Sequence, residues 1–227
     1  MITTVIFDLD DTLYDEIEYC KSGFRAIADF LSKVPDAPAA ERIYNALFSQ
    51  FEAGNRTKTF DTALDELEMP YDREFIGKLV ELYRNHIPAI MLPRDSLDVL
   101  SLLDGKYTLS LLTDGFLPAQ RLKVEALKIG KFFGRIVYTE ELGRECWKPS
   151  PAGFERIIRE LNINYRDAAY VADNEIKDFI APNSLGIGTI RLIRPAGIHR
   201  LSSEQAGAAA QYTIQEISRL PDLLARL

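Results

Sequence analysis

Two acidic residues directly follow a short apolar run near the amino terminus. In the segment VIFDLDDTLY, Asp8 and Asp10 stand two positions apart. A buried parallel strand is normally apolar, and carboxylates are rarely buried without a partner, so acids at this place need a cation or water. The spacing therefore predicts a divalent metal site, or acid/base chemistry, at the end of a strand.

Three further polar clusters follow later in the chain. They are Thr113, Asp114 and Gly115 in LLTDG, Lys148 in KPSP, and Asp173 with Asp178 in YVADNEIKD. A hydroxyl and an ammonium group suit phosphate oxygens, and carboxylates suit Mg²⁺. Taken alone, each cluster also has an ordinary explanation as a turn or a helix cap. Asp178 can equally bind a metal, hold Lys148 or begin a helix, and Asp114 can support the metal site or cap the next helix.

Strand-like and helix-like segments alternate around these clusters. Short β-branched and apolar runs predict strands at TTVIFDL, TLSLLT, RIVY, AAYVA and IGTIRL, with helices at 95–103, 118–127 and 151–161 and a final helix at 214–227. Such alternation is typical of an α/β fold with a doubly wound, Rossmann-like parallel sheet. Because ligands bind at the carboxyl ends of such strands, we expect the polar clusters to converge there.

The interval between the first two strands is too long for one crossover. Apolar residues recur at helical spacing through it, and prolines punctuate it, whereas strand-like runs are almost absent. The sequence therefore predicts a smaller, all-helical inserted domain at residues 15–90. The α/β core would comprise residues 1–14 and 91–227.

Composition restricts the classes of partner. The formal net charge is −7 and the isoelectric point about 5, which argues against binding of nucleic acid polymers. The sequence has no long apolar segment and no basic leader, so we expect a cytoplasmic protein that does not bind a membrane. Cys20 and Cys146 are too few for a disulfide scaffold. His86 and His199 lie outside the polar clusters and give little support for a histidine site.

The four motifs DLDDT, TDG, KPSP and ADNEIKD resemble, in order, those of the haloacid dehalogenase superfamily. The insertion after the first motif resembles the helical cap of its phosphatase branch. The resemblance implies that Asp8 is the nucleophile and Asp10 the general acid/base, whose pKa crowding by Asp8 is expected to raise. It also implies that Thr113, Asp114, Gly115 and Lys148 contact phosphate, and that Asp8, Asp10 and Asp173 bind Mg²⁺, with Asp178 as a further candidate ligand.

These roles predict Mg²⁺-dependent hydrolysis of a small phosphomonoester, of the nucleotide or sugar phosphate type, through an aspartyl phosphate. Relatives that cleave carbon–halogen bonds generally lack an aspartate two residues after the nucleophile, so Asp10 favours the phosphatase. The alternatives are a dehalogenase-type hydrolase and a phospho-receiver or binding protein without turnover. The partner would be a small phosphorylated metabolite.

Overall fold

The computed structural model describes residues 1–198 and 202–227, so His199 lies outside the described residues. The chain divides into two compact units, which are Met1–Ile17 with Met91–Leu227, and Glu18–Ile90. In the described part of the chain, no helix is both long enough and apolar enough to cross a bilayer.

The larger unit is built on a parallel sheet with the strand order β3-β2-β1-β4-β5-β6. Its strands are β1 (Thr4–Phe7), β2 (Thr108–Thr113), β3 (Arg135–Tyr138), β4 (Ala168–Ala172), β5 (Gly188–Leu192) and β6 (Tyr212–Ile214). Its helices are α5 (Arg94–Leu103), α6 (Ala119–Leu127), α7 (Ala152–Leu161), α8 (Ile180–Leu185) and α9 (Leu220–Leu224). The predicted α/β fold with a parallel sheet is confirmed.

The central strands are buried along nearly their whole length, as expected for a parallel sheet covered on both faces. Phe154 of α7 packs edge-on against Tyr170 of β4, with the ring centroids 4.8 Å apart. Both side chains are fully buried in a cluster that also contains Ile6 and Leu112. This packing fixes β1, β2 and β4 side by side, and the predicted site residues follow these strands.

The second unit is helical. It contains most of α1 (Glu16–Leu31), together with α2 (Ala40–Glu52), α3 (Thr59–Glu66) and α4 (Arg73–Asn85). Aromatic side chains form much of its interior, and Tyr83 contacts the rings of Tyr19, Phe24 and Phe60. His86 is buried, with Nε2 3.1 Å from the Ser22 hydroxyl, so it has a packing role within this unit.

The predicted final helix at 214–227 is wrong. Residues 212–214 instead form β6, which pairs in parallel with β5, and Thr213 lies opposite Arg191. Only Leu220–Leu224 is α-helical, and Pro221 lies in its first turn. Proline is favoured there because it lacks the N–H that a helix interior requires, so Pro221 begins a short helix rather than sitting within a long one.

Candidate active site

Three neighbouring strands end at the same edge of the sheet. Asp8 directly follows β1, Asp114 directly follows β2, and Asp173 directly follows β4. The order β2-β1-β4 places Asp8 in the middle, and its amide donates a 2.9 Å hydrogen bond to the carbonyl of Val171 in β4. The predicted clusters therefore converge because the strands that carry them are adjacent.

A cavity of about 360 Å³ opens at this edge, within the larger unit. Its walls include the predicted residues Asp8, Asp10, Asp114, Gly115, Lys148 and Asp173, and also Glu16, Trp147, Asn174 and Lys177, which were not among the predicted site residues. Thr113 and Asp178 do not line it, and both are almost completely buried. The structure thus brings all the predicted site residues to one region but places two of them behind the cavity wall.

Lys148 contacts two of the predicted carboxylates, Asp8 and Asp178. Its ammonium group lies 2.8 Å from Asp8 Oδ1 and 2.7 Å from Asp178 Oδ1, and donates a 2.9 Å hydrogen bond to the hydroxyl of Tyr170. Burial alone would lower the pKa of Lys148, but Asp178 and Asp8 raise it well above its usual range. The lysine is therefore a permanent cation in the protein interior.

The carboxylates of Asp8, Asp173 and Asp178 form a compact buried cluster. One oxygen from each lies within 4.8 Å of the others, and within the described residues Asp173 Oδ2 is buried without a hydrogen-bond partner. Burial, reinforced by the charges of Asp178 and Asp8, raises the pKa of Asp173 to about 9. An uncompensated group of hard oxygen atoms fits the ligand preference of Mg²⁺.

Asp178 also has a clear structural role. One of its oxygens pairs with Lys148, and the other accepts a 3.0 Å hydrogen bond from the amide of Asn174. Burial would raise the pKa of Asp178, but the two lysines Lys148 and Lys177 lower it below its usual value. The sequence left three roles open for Asp178. The geometry directly supports one of them, in which Asp178 holds Lys148 in place.

Asp10 is held by side chains that the motifs did not reveal. Its carboxylate accepts hydrogen bonds from the Tyr14 hydroxyl at 2.5 Å, Gln120 Nε2 at 2.8 Å and Lys123 Nζ at 2.7 Å. Burial would raise the pKa of Asp10, but Lys123 and these hydrogen bonds lower it below the ordinary value. The expected rise in this pKa is therefore wrong, because the charge of Lys123 and the hydrogen bonds together outweigh the burial.

Gln120 and Lys123 both belong to α6. They are three residues apart on one side of the helix, and both are buried although they are polar. The sequence carried a partial signal, since Gln120 and Lys123 lie at helical spacing with the buried apolar Leu127. Only the tertiary structure shows that this face of α6 meets Asp10.

The carboxylate of Asp114 accepts hydrogen bonds from two neighbouring loops. Oδ1 accepts a 2.7 Å hydrogen bond from the Thr139 hydroxyl, and Oδ2 accepts a 3.1 Å hydrogen bond from the backbone amide of Lys148. The ammonium group of Lys177 lies 3.6 Å from Oδ2. Asp114 therefore positions the loop that carries Lys148.

Glu175 is buried in an ion pair with Arg191. Glu175 Oε1 lies 3.0 Å from Arg191 Nη1, and Arg191 Nε donates a 3.1 Å hydrogen bond to the carbonyl of Asp173. Arg191 belongs to β5. The pair thus ties the loop that carries Asp173 to the adjacent strand.

Gly115 is the one site glycine at which a side chain would collide with a positioning residue. Its φ is +136°, and an added Cβ would lie 2.8 Å from Cδ of Gln120. We expect Gly115→Ala to displace Gln120 from Asp10 and to lower kcat/KM for phosphomonoester hydrolysis about tenfold, about 1.4 kcal/mol. Steady-state kinetics would measure this change.

Gly105→Ala is the matched control. Gly105 also has a positive φ, +77°, but a Cβ added there would have no neighbouring atom within 4 Å, so the variant bears a milder backbone strain, in the left-handed region, without the collision. It is expected to lose stability but to keep kcat/KM. Equal losses of kcat/KM in the two variants would show that contact with Gln120 is not responsible.

A family model for haloacid dehalogenase-like hydrolases matches residues 2–186. A glyceraldehyde 3-phosphate phosphatase from Methanocaldococcus jannaschii is 26% identical over 233 residues, covering 100% of this chain and 99% of the relative. An N-acylneuraminate-9-phosphatase from Rattus norvegicus is 26% identical over 238 residues, covering 98% and 94%. The predicted resemblance to this family is confirmed.

Solved structures agree on the fold. A putative β-phosphoglucomutase from Thermotoga maritima superposes with a TM-score of 0.70 at 18% identity, covering 100% of each chain. A 2-haloacid dehalogenase from Pseudomonas syringae superposes with a TM-score of 0.67 at 22% identity, covering 100% of this chain and 99% of the other. At these identities the likeness concerns the fold alone.

Proposed function

Since the chain belongs to the haloacid dehalogenase-like hydrolase family, we propose that it hydrolyses small phosphomonoesters with Asp8 as the nucleophile. The observation that carries the proposal is the placement of Asp8, which lies in the cavity wall and is held by Lys148 at 2.8 Å. Burial raises the pKa of Asp8 to about 6, an effect that Lys148 opposes, so the carboxylate is ionised at neutral pH. An ionised carboxylate can attack phosphorus.

Asp8, Asp173 and Asp178 would hold Mg²⁺ by their carboxylates, and Asp10 by its backbone carbonyl. The unpartnered oxygen of Asp173 and the clustering of these three carboxylates support this assignment. When bound, the ion would supply positive charge that offsets the negative charge of the carboxylates and the phosphoryl group. The side chain of Asp10 would remain available for proton transfer.

In the first step, an oxygen of Asp8 forms a bond to phosphorus as the bond from phosphorus to the leaving oxygen breaks. Asp10, which the negative charge of the bound phosphomonoester would help to protonate, gives that proton to the leaving oxygen and then takes one from the water that hydrolyses the aspartyl phosphate. Its partners Lys123 and Tyr14 favour the ionised carboxylate, the form required for the second step. Thr113 and the backbone near Asp114 and Gly115 would complete the phosphate site.

Phosphoryl transfer is favoured over carbon–halogen cleavage by Asp10 and by the relatives named as phosphatases. The sugar phosphate class is favoured for the substrate, because both kinds of named relative act on small phosphorylated compounds. The helical unit Glu18–Ile90 would serve as the cap domain that selects the leaving group.

The direct test is phosphate release from a panel of small phosphomonoesters, with Mg²⁺ and with EDTA. The panel would contain glyceraldehyde 3-phosphate, N-acylneuraminate 9-phosphate, nucleoside monophosphates and phosphoglycolate. We expect turnover of at least one sugar phosphate and its loss in EDTA. Turnover that persisted undiminished in EDTA would contradict the proposed metal dependence.

A further inference from the structure

The cavity contains more negative than positive charge. It is lined by five carboxylate side chains, of Asp8, Asp10, Glu16, Asp114 and Asp173, and by two lysines, Lys148 and Lys177. A phosphomonoester adds further negative charge, so its oxygens need hydrogen-bond donors that are positively charged. The two lysines are therefore the side chains to compare.

Lys148 is already engaged with protein partners. Its ammonium group donates hydrogen bonds to Asp8 and to the hydroxyl of Tyr170, at 2.8 and 2.9 Å, and forms an ion pair with Asp178 at 2.7 Å. Its side chain is also buried, with 1% exposure. A phosphoryl oxygen that contacted Lys148 would share its ammonium group with these three partners.

Lys177 is differently placed. Its side chain is 34% exposed at the cavity, and its nearest carboxylate oxygen, on Asp114, is 3.6 Å away. Across residues 1–198 and 202–227, its ammonium group makes no closer polar contact than this one. At 3.6 Å the pair is an ion pair but too long for a hydrogen bond, so Lys177 retains donors that can turn toward a ligand.

Lys177 faces the same cavity as the proposed nucleophile. Both Lys177 and Asp8 line its wall. The side chain thus combines a positive charge, access to the cavity and unused donors.

We propose that Lys177 donates a hydrogen bond directly to a phosphoryl oxygen of the bound substrate, as a second cation beside Lys148. This inference rests on the proposed function, since it assigns a phosphate contact within the same site. It adds to the motif lysine Lys148, which positions the nucleophile, a second lysine that binds the anion.

The test is the affinity for inorganic phosphate, the product, measured by titration calorimetry in the presence of Mg²⁺. Lys177→Met removes the charge and keeps the aliphatic stem, and we expect it to weaken phosphate binding about 10- to 100-fold. Lys177→Arg keeps the charge and is expected to restore most of the affinity. Lys106→Met is the matched control, because Lys106 is an exposed lysine outside the cavity, and it is expected to bind phosphate as the wild type does.

Thermal unfolding of the same variants separates binding from a purely structural role, since the inference requires weaker phosphate binding at an unchanged Tm. Phosphate affinity in Lys177→Met equal to that of the wild type would overturn the inference and leave the proposed function intact. Failure of the wild type to turn over any phosphomonoester, with phosphate binding that still depends on Lys177, would instead contradict the proposed function alone.

Discussion

Replacement of Asp8 with asparagine is expected to lower kcat for phosphate release by about 10⁴-fold, which steady-state assays with a good substrate would measure. The amide nearly matches the carboxylate in size but has no negative charge with which to attack phosphorus. An oxygen remains that can accept a hydrogen bond from Lys148, which lies 2.8 Å from Asp8 Oδ1. The variant therefore removes the nucleophile and little else.

The control for this variant is its stability. Burial raises the pKa of Asp8 to about 6, above the ordinary value of an aspartate, so the folded protein holds the ionised carboxylate less favourably than water does. That cost is present at neutral pH and is lost as the pH falls from the folded pKa, about 6, to the ordinary value of 3.8. Asp8→Asn is consequently expected to unfold at a temperature no lower than that of the wild type. Retained turnover in a folded Asp8→Asn protein would exclude Asp8 as the nucleophile.

Lys148→Met is expected to destabilise the protein by about 3–5 kcal/mol and to abolish turnover. The change leaves Asp8 and Asp178 buried, 4% and 0% exposed, without the cation that both of them contact. Urea denaturation in EDTA would measure the free energy of unfolding without a contribution from a bound metal ion.

A double variant tests whether the lower stability of Lys148→Met comes from the lost positive charge or from lost side-chain packing. Asp178→Asn removes one of the two carboxylates that Lys148 neutralises, so its addition to Lys148→Met is expected to recover part of the lost stability. Turnover would not recover, because Asp8 would still lack its positioning cation. A single Lys148→Met variant as stable as the wild type would show that the buried ion pairs do not require this lysine.

The central part of the fold was predictable because its strands are short, apolar and separated by amphipathic helices. Segment 108–113 is β2 with the predicted bounds, and 168–172 is β4. The carboxyl end of the chain was not predictable in this way. Three residues at 212–214 become a strand through pairing with β5, a tertiary contact that leaves no periodicity in so short a segment.

The candidate site also contains some residues that the sequence predicted and others that only the structure reveals. Asp8, Asp114 and Asp173 were accessible to sequence reasoning, since each directly follows a buried strand and a carboxylate there requires an explanation. Lys123 and Arg191 were not, because each reaches the site from an element whose local pattern is ordinary. Their effect appears only as contacts, of Lys123 with Asp10 and of Arg191 with the carbonyl of Asp173.

The most direct test of the account is chemical trapping of the intermediate on Asp8. Protein turning over a saturating substrate would be quenched, reduced with borohydride, which converts an acyl phosphate to an alcohol, and digested for mass spectrometry. The account predicts that Asp8 is converted to homoserine only when substrate and Mg²⁺ are both present. Conversion of a different carboxylate, with Asp8 intact, would contradict it.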